Sequence, residues 1–256
     1  ATYIKTLLIN AGNESGILDR GSVHQMGTII RGENGQPFPY FFGYKTDGVF
    51  QNWDEVYAYT NADGSLLQPG AQPGDFRYQD LNGDGSITAE GDRTNLGKCV
   101  PSWTYGINAG IDWKGIDFSM VWQGVAGNKI FDATRRTDIP TMNQPKYVLN
   151  RWTGEGSTNE YPRFTVTDPN QNWSKASDFF IKDASYFRLK NVTLGYTLPA
   201  KWTNKIFVKK LRVYVACENA LTFTKYDGFD PEIADYVDRG IYPQSRTVQF
   251  GASITF

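Results

Sequence analysis

Residues 247–256 alternate without a break. Val248, Phe250, Ala252, Ile254 and Phe256 fall on one parity, and Thr247, Gln249, Gly251, Ser253 and Thr255 on the other. Successive side chains of a strand point to opposite faces, so this segment predicts a strand with one apolar face and one small, polar face. Residues 103–113 repeat the pattern: Trp103, Tyr105, Ile107, Ala109, Ile111 and Trp113 oppose Thr104, Gly106, Asn108, Gly110 and Asp112. Ile116, Phe118, Met120 and Trp122 carry it through another strand, and Leu211, Val213, Val215 and Cys217 through a further one. Within 186–198 the phase slips between Leu189 and Val192, which predicts a bulge near Lys190 and Asn191. Residues 3–9 and 24–31 are weaker strand candidates, with His24 read as an ordinary residue of the same sheet.

The spacing between these strands narrows the architecture. Only Lys114 and Gly115 separate residues 113 and 116, a two-residue hairpin. About a dozen residues join 198 to 211, whereas the links at 124–186 and 219–245 are far longer. Alternating long and short connections are the habit of transmembrane β-barrels, with loops outside the cell and turns in the periplasm. Ten residues from Trp103 to Trp113, rising ~3.3 Å each and tilted ~40°, cover roughly 25 Å along the membrane normal. That is the height of an outer-membrane apolar band, so Trp103, Trp113 and the last residue, Phe256, are expected in the membrane girdles. Five or six strands cannot close a barrel, which needs about eight or more. Open sheet edges in lipid leave backbone groups unsatisfied. The chain therefore reads as all-β, about six antiparallel strands from the C-terminal part of a larger transmembrane barrel.

Composition agrees and removes competitors. Lys and Arg total 26 against 27 Asp and Glu, a net charge of −1 that asks for no nucleic acid. A mean hydropathy of −0.47 argues against helical membrane spans but not against strands that are half apolar. One histidine and two cysteines, Cys99 and Cys217, leave no histidine-based zinc site and no disulfide framework, and both thiols read as free. The chain starts at Ala1 without an initiator Met or signal peptide, and reads as mature or as a piece of something longer.

Several segments resemble the SusC/RagA family of TonB-dependent outer-membrane transporters. They are FGYKTDGVFQ at 42–51, DLNGDG at 80–85, PSWTYG at 101–106, QGVAGN at 123–128 and RWT at 151–153. YFRLKNVTLGYTLP at 186–199, ENALTFTKY at 218–226 and GFDPE at 228–232 continue the series in order. The resemblance implies a barrel of 22 strands, with a plug domain and N-terminal strands outside this chain. Residues 1–256 then form the C-terminal barrel segment, with extracellular loops at about 32–102, 125–185 and 220–244. It also implies localisation in the bacterial outer membrane and import of a glycan or oligopeptide, powered through the TonB complex. Its expected partners are a SusD-like surface lipoprotein and the remaining barrel and plug. No covalent chemistry is implied, so no enzyme is expected and no catalytic residue is assigned.

The segment 80–92 looks like a calcium loop. Asp80, Asn82 and Asp84 offer hard oxygens at alternate positions, Gly85 the sharp turn, and Ser86 a backbone carbonyl. The twelfth position is Gly91, so Glu90 or Asp92 has to replace the usual bidentate Glu. A self-bonded Asx turn explains the same residues, and both readings stand. Tyr40, Phe41, Phe42, Trp53, Tyr57 and Tyr59 are candidates for stacking on sugar rings or packing on a lipoprotein, with loop-core packing as the alternative. Asp230 and Glu232, split by Pro231, read as a turn and not as a glycosidase pair. Arg135 and Arg136 read as solvated, with an anionic ligand as the alternative, and Lys205, Lys209 and Lys210 as snorkelling near a periplasmic turn. A secreted, calcium-containing, carbohydrate-binding β-sandwich is the competing architecture.

Overall fold

A computed structural model describes residues 1–24, 26–135 and 143–256. Its main sheet has six strands: β1 (Thr2–Tyr3), β2 (Trp103–Trp113), β3 (Ile116–Ala126), β4 (Tyr186–Thr197), β5 (Lys210–Thr224) and β6 (Thr247–Thr255). Each pairs antiparallel with its sequence neighbour, so the sheet is an up-and-down meander in chain order. Lys114 and Gly115 both take positive φ, the conformation that a tight hairpin with native strand twist demands. All three long connections, 4–102, 127–185 and 225–246, leave from the opposite end of the sheet.

Register converts the alternation into continuous faces. Ile107 pairs with Trp122, Ile111 with Phe118, Phe118 with Leu194, Leu194 with Val215, and Val215 with Phe250. One face is thus apolar from β2 to β6. Trp122 stacks between Phe187 and Phe223 on it, with centroids 4.7 and 6.2 Å away. The other face carries Asn108, Ser119, Thr193, Arg212 and Gln249. Gly195 leaves room there for the bidentate ion pair between Arg212 and Asp117. The expected bulge exists: the β4 register shifts between Leu189 and Asn191 against both neighbours.

The sandwich alternative fails on burial. Ile111 is 63% exposed, Phe250 84% and Ile254 52%, because no second layer among the described residues covers the apolar face. Water-facing sandwiches bury that face.

The three long connections fold together. Strands Ile17–Ser22, Thr28–Glu33, Tyr40–Tyr44 and Arg93–Lys98 form one sheet. Lys129–Asp132 lies between Ile181–Asp183 and Val237–Asp238, joining the second connection to the third. One hydrophobic cluster takes Val23, Ile29, Phe41 and Cys99 from the first connection, Phe131, Trp173 and Phe180 from the second, and Val237 from the third. This shared core makes the loops one structured cap. Around Asp75 buried polar groups satisfy one another: its carboxylate accepts from Arg163 Nε at 2.6 Å and from Asn172 Nδ2 at 2.8 Å.

Some boundaries and placements differ from the sequence reading. β5 continues to Thr224 because Leu221 and Phe223 resume the apolar face after an irregular step, so 220–224 belongs to the wall. Of residues 3–9 only Tyr3 pairs in the main sheet. His24 is not a barrel residue: it sits between two strands of the cap, with Nε2 3.3 Å from the Ala133 carbonyl.

Candidate functional site

The wall and the cap meet around a buried charge cluster. Arg188, on the polar face of β4, is 3% exposed. Its guanidinium donates to Asp230 Oδ1 at 2.7 Å, Glu232 Oε2 at 2.9 Å and Thr222 Oγ1 at 2.9 Å. Lys190, the extra residue of the bulge, donates to the same Glu232 oxygen at 2.8 Å and to Gln244 Oε1 at 3.0 Å. Asp230 also accepts from the Glu232 and Gln244 backbone N–H groups. Burial alone would raise the Asp230 pKa, but hydrogen bonds from Arg188 and those two N–H groups, with the Arg188 charge, hold it below the ordinary carboxylate value. Two cations face two anions, so the cluster is neutral. The Asp-Pro-Glu turn was foreseen as a turn, but its basic partners were not. A signal existed: Arg188 and Lys190 interrupt an otherwise apolar and small-polar strand.

The structure disperses the candidate aromatics. Tyr40, Phe41 and Phe42 are buried in a cap strand at 2%, 0% and 8% exposure, so they pack the loop core and offer no surface. Arg31 and Arg93 lie over the Phe42 ring. Tyr59 packs on Phe50 and donates its hydroxyl to the Tyr78 carbonyl at 2.6 Å. Trp53 and Tyr57 differ: they are 48% and 62% exposed and stack on each other across one turn of helix Trp53–Ala58. Asn52 caps that helix by accepting from the Glu55 N–H.

In the segment 80–92 the acidic side chains close the loop on its own backbone. Asp80 accepts from the Gly83 and Gly85 N–H groups at 2.7 and 2.9 Å, and Asp84 from Ser86 N–H and Asn82 Nδ2. Asp92 is fully buried and accepts from Leu81 and Thr88 N–H. Ser86 and Glu90 lie at the loop surface. Among the described residues no three His, Cys, Asp or Glu side chains converge as metal ligands. This self-bonding is that of an Asx turn.

Arg135 is not solvated. It is 6% exposed, lies over Trp173 at 3.7 Å, and donates Nε to Gln144. Burial lowers its pKa to about 10. Arg136 lies outside the described residues. Cys99 is buried in the cap and Cys217 half-buried on the wall, both as free thiols. Trp103 and Trp113 mark the two ends of β2 on the apolar face, 47% and 61% exposed, and Phe256 is 77% exposed at the short-turn end.

A meander with one bare apolar face, one polar face and its long connections gathered into a cap is a section of transmembrane β-barrel wall. No family model matches the chain. The chain is 29% identical to TonB-dependent receptor P26 of Formosa agariphila over 98% of its own length. It is 30% identical to TonB-dependent receptor P3 of the same organism over 87%, and 25% identical to TonB-dependent receptor SusC of Bacteroides thetaiotaomicron over 89%. It spans about a quarter of the length of these relatives, 27%, 22% and 21% respectively. Among solved structures it superposes on the RagAB peptide importer in its open-open state, with a TM-score of 0.68 and 22% identity, covering 98% of this chain and 25% of that one. The RagAB peptide transporter gives a TM-score of 0.69 at 23% identity, over 94% of this chain and 24% of that one. The chain is thus similar to a segment of TonB-dependent receptors, SusC among them, and shares the fold of the matching part of RagAB.

Proposed function

We propose that the chain forms part of the wall and the outer cap of an outer-membrane importer for a large nutrient, a glycan or an oligopeptide. The observation that carries this is the uninterrupted apolar face from β2 to β6, exposed where a water-soluble protein would bury it. Lipid is the solvent that makes such a face stable. In this reading the cap of long connections faces the cell exterior and the short turns face the periplasm. Trp103, Trp113 and Phe256 sit at the two membrane interfaces. The rest of a 22-stranded barrel and a plug complete the transporter, and a SusD-like lipoprotein closes over the cap. Coupling to the TonB complex runs through parts of the protein beyond this chain. Similarity to SusC, to other TonB-dependent receptors and to the RagAB fold supports the assignment.

Within the cap, Trp53 and Tyr57 are the candidate aromatics left free to meet ligand or lipoprotein. Calcium at Asp80, Asn82, Asp84 and the Ser86 carbonyl belongs to the same proposal, with Glu90 or Asp92 completing the shell. Calorimetry on the intact protein tests it: no heat on adding calcium removes the metal. The import reading is tested by deleting the gene for the intact protein and following uptake of labelled oligosaccharides and oligopeptides. Loss of one class, with a lipoprotein co-purifying from outer membranes, is expected. Unchanged uptake of both classes, or recovery of the protein from the soluble periplasm, would sink it.

A further inference from the structure

Residues 198–210, the turn between β4 and β5, carry Lys201, Lys205, Lys209 and Lys210 and no acidic residue, in a chain whose net charge is −1. All four lysines are exposed. The turn also exposes large apolar side chains: Trp202 is 60% exposed, Ile206 61% and Phe207 91%. Thr203 and Val208 take the inward positions, at 1% and 7%. The turn is held by backbone bonds, Thr203 N–H to Pro199 carbonyl and Val208 N–H to Thr203 carbonyl. Lys209 N–H donates to the Thr255 carbonyl, which ties the turn to the end of β6. Apolar groups in a basic frame, continuous with a lipid-facing wall, match the chemistry of a bilayer interface and not that of water.

We propose that this turn docks on the membrane interface and binds anionic phospholipid headgroups, with Trp202, Ile206 and Phe207 seated among the acyl-chain ends. Two features favour lipid over a protein partner. The patch continues the exposed apolar face through Val213 and Ile254. The neighbouring turn repeats its chemistry, since Lys114 lies over the Trp113 ring at the same end of the sheet. Asp117, which feels the Lys210 charge, is already paired with Arg212 on the polar face, and Asp112 shares that face. Each interfacial lysine strengthens binding to an anionic surface by about fivefold.

The inference rests on the barrel reading, and the test separates the two. The intact transporter is reconstituted in phosphatidylcholine vesicles with and without phosphatidylglycerol, in a Cys217→Ser background. A polarity-sensitive dye is placed by Phe207→Cys in one sample and by Phe250→Cys in another. Bromolipid quenching at both positions, with phosphatidylglycerol retention falling at least tenfold in a K201Q/K205Q/K209Q/K210Q variant, is the expected result. Quenching at 250 but not at 207, or undiminished phosphatidylglycerol retention in the quadruple variant, overturns the inference and leaves the barrel intact. Absence of quenching at 250 removes the barrel reading itself.

Discussion

Arg188→Met removes the guanidinium that joins the third long connection to the wall while keeping most of the apolar stem. Asp230 has a side chain only 4% exposed, and would keep just the Glu232 and Gln244 N–H donors. Removing one member of a buried ion pair costs about 3–5 kcal/mol, because the other charge stays desolvated. Glu232 is 29% exposed and keeps Lys190, so its share of the loss is small, about 0–1 kcal/mol. At about 1.4 kcal/mol per decade, opening of the 225–246 segment becomes more frequent by about two to four orders of magnitude. The backbone ladder of the wall does not depend on the cluster, so the effect is local. Hydrogen exchange on the intact protein in detergent reads it directly, with 247–255 as the internal reference. Loop protection falling by less than about tenfold would refute the reasoning. An Arg188→Met, Asp230→Leu double variant should recover most of the loss, since apolar replacement of a buried pair is close to neutral. The pH dependence has a definite sign. The Asp230 carboxyl is depressed in the folded state, so its contribution is complete above the unfolded value of about 3.9 and vanishes as pH falls through the lower folded one. The segment stays fastened at pH 5.

Adjacent residues of β6 test the two faces of the wall. Phe250→Lys should destabilise the lipid-inserted protein by about 2–4 kcal/mol, whereas Gln249→Lys next to it should cost near zero. Folding titrations in vesicles that return equal losses would contradict the lipid-facing assignment. Cys99 is buried, and desolvation pushes its thiol up to about 12. Iodoacetamide at pH 8 should therefore spare it until denaturant is added, as peptide mass spectrometry would report, and native labelling would show the cap core to be open. Gly43→Ala sets a Cβ against the Ala176 carbonyl, where the Tyr44 N–H donates at 2.8 Å. Overpacking at this junction should cost about 1–3 kcal/mol in a thermal melt, and an unchanged midpoint would place the junction elsewhere.

The wall was legible in the sequence because its two solvents differ along a period of two. Trp103 to Trp113 and Val248 to Ile254 had only one solution once lipid was assigned to one parity. The cap was not legible, because its strands have both faces partly buried in one another and lose that period. Tyr40 to Tyr44 is buried at every position, so its run of aromatics suits a ligand platform and a loop core alike in the sequence, and only burial separates the two. The Asp80 to Asp92 acids were ambiguous for a different reason: oxygen spacing that suits a cation also suits backbone N–H donors. Arg188 was missed because its partners lie 42 and 44 residues away.

The bulge in β4 connects what the wall needs with what the cap needs. Without an extra residue, strict alternation would place Leu189 and Val192 on opposite faces, and half of the strand would turn apolar groups to the lumen. One inserted position restores Phe187, Leu189, Val192, Leu194 and Tyr196 to a single face. That inserted position is Lys190, released from the ladder, and it reaches the same Glu232 oxygen as Arg188. The facing irregularity in β5 falls at Asn219, which takes a positive φ and donates Nδ2 to the Ser245 carbonyl at 3.0 Å. Both interruptions of the wall therefore lie where the 225–246 segment is fastened. Bulges re-aim side chains at the cost of ladder bonds, and here the re-aimed groups bind the cap. Deleting Lys190 should then do two kinds of damage at once, turning Tyr186 to Leu189 to the wrong faces and freeing the loop. Lys190→Ala, which keeps the Arg188–Asp230 pair, should loosen the loop only slightly and leave the wall unchanged, a difference that hydrogen exchange on the wall and on the loop resolves.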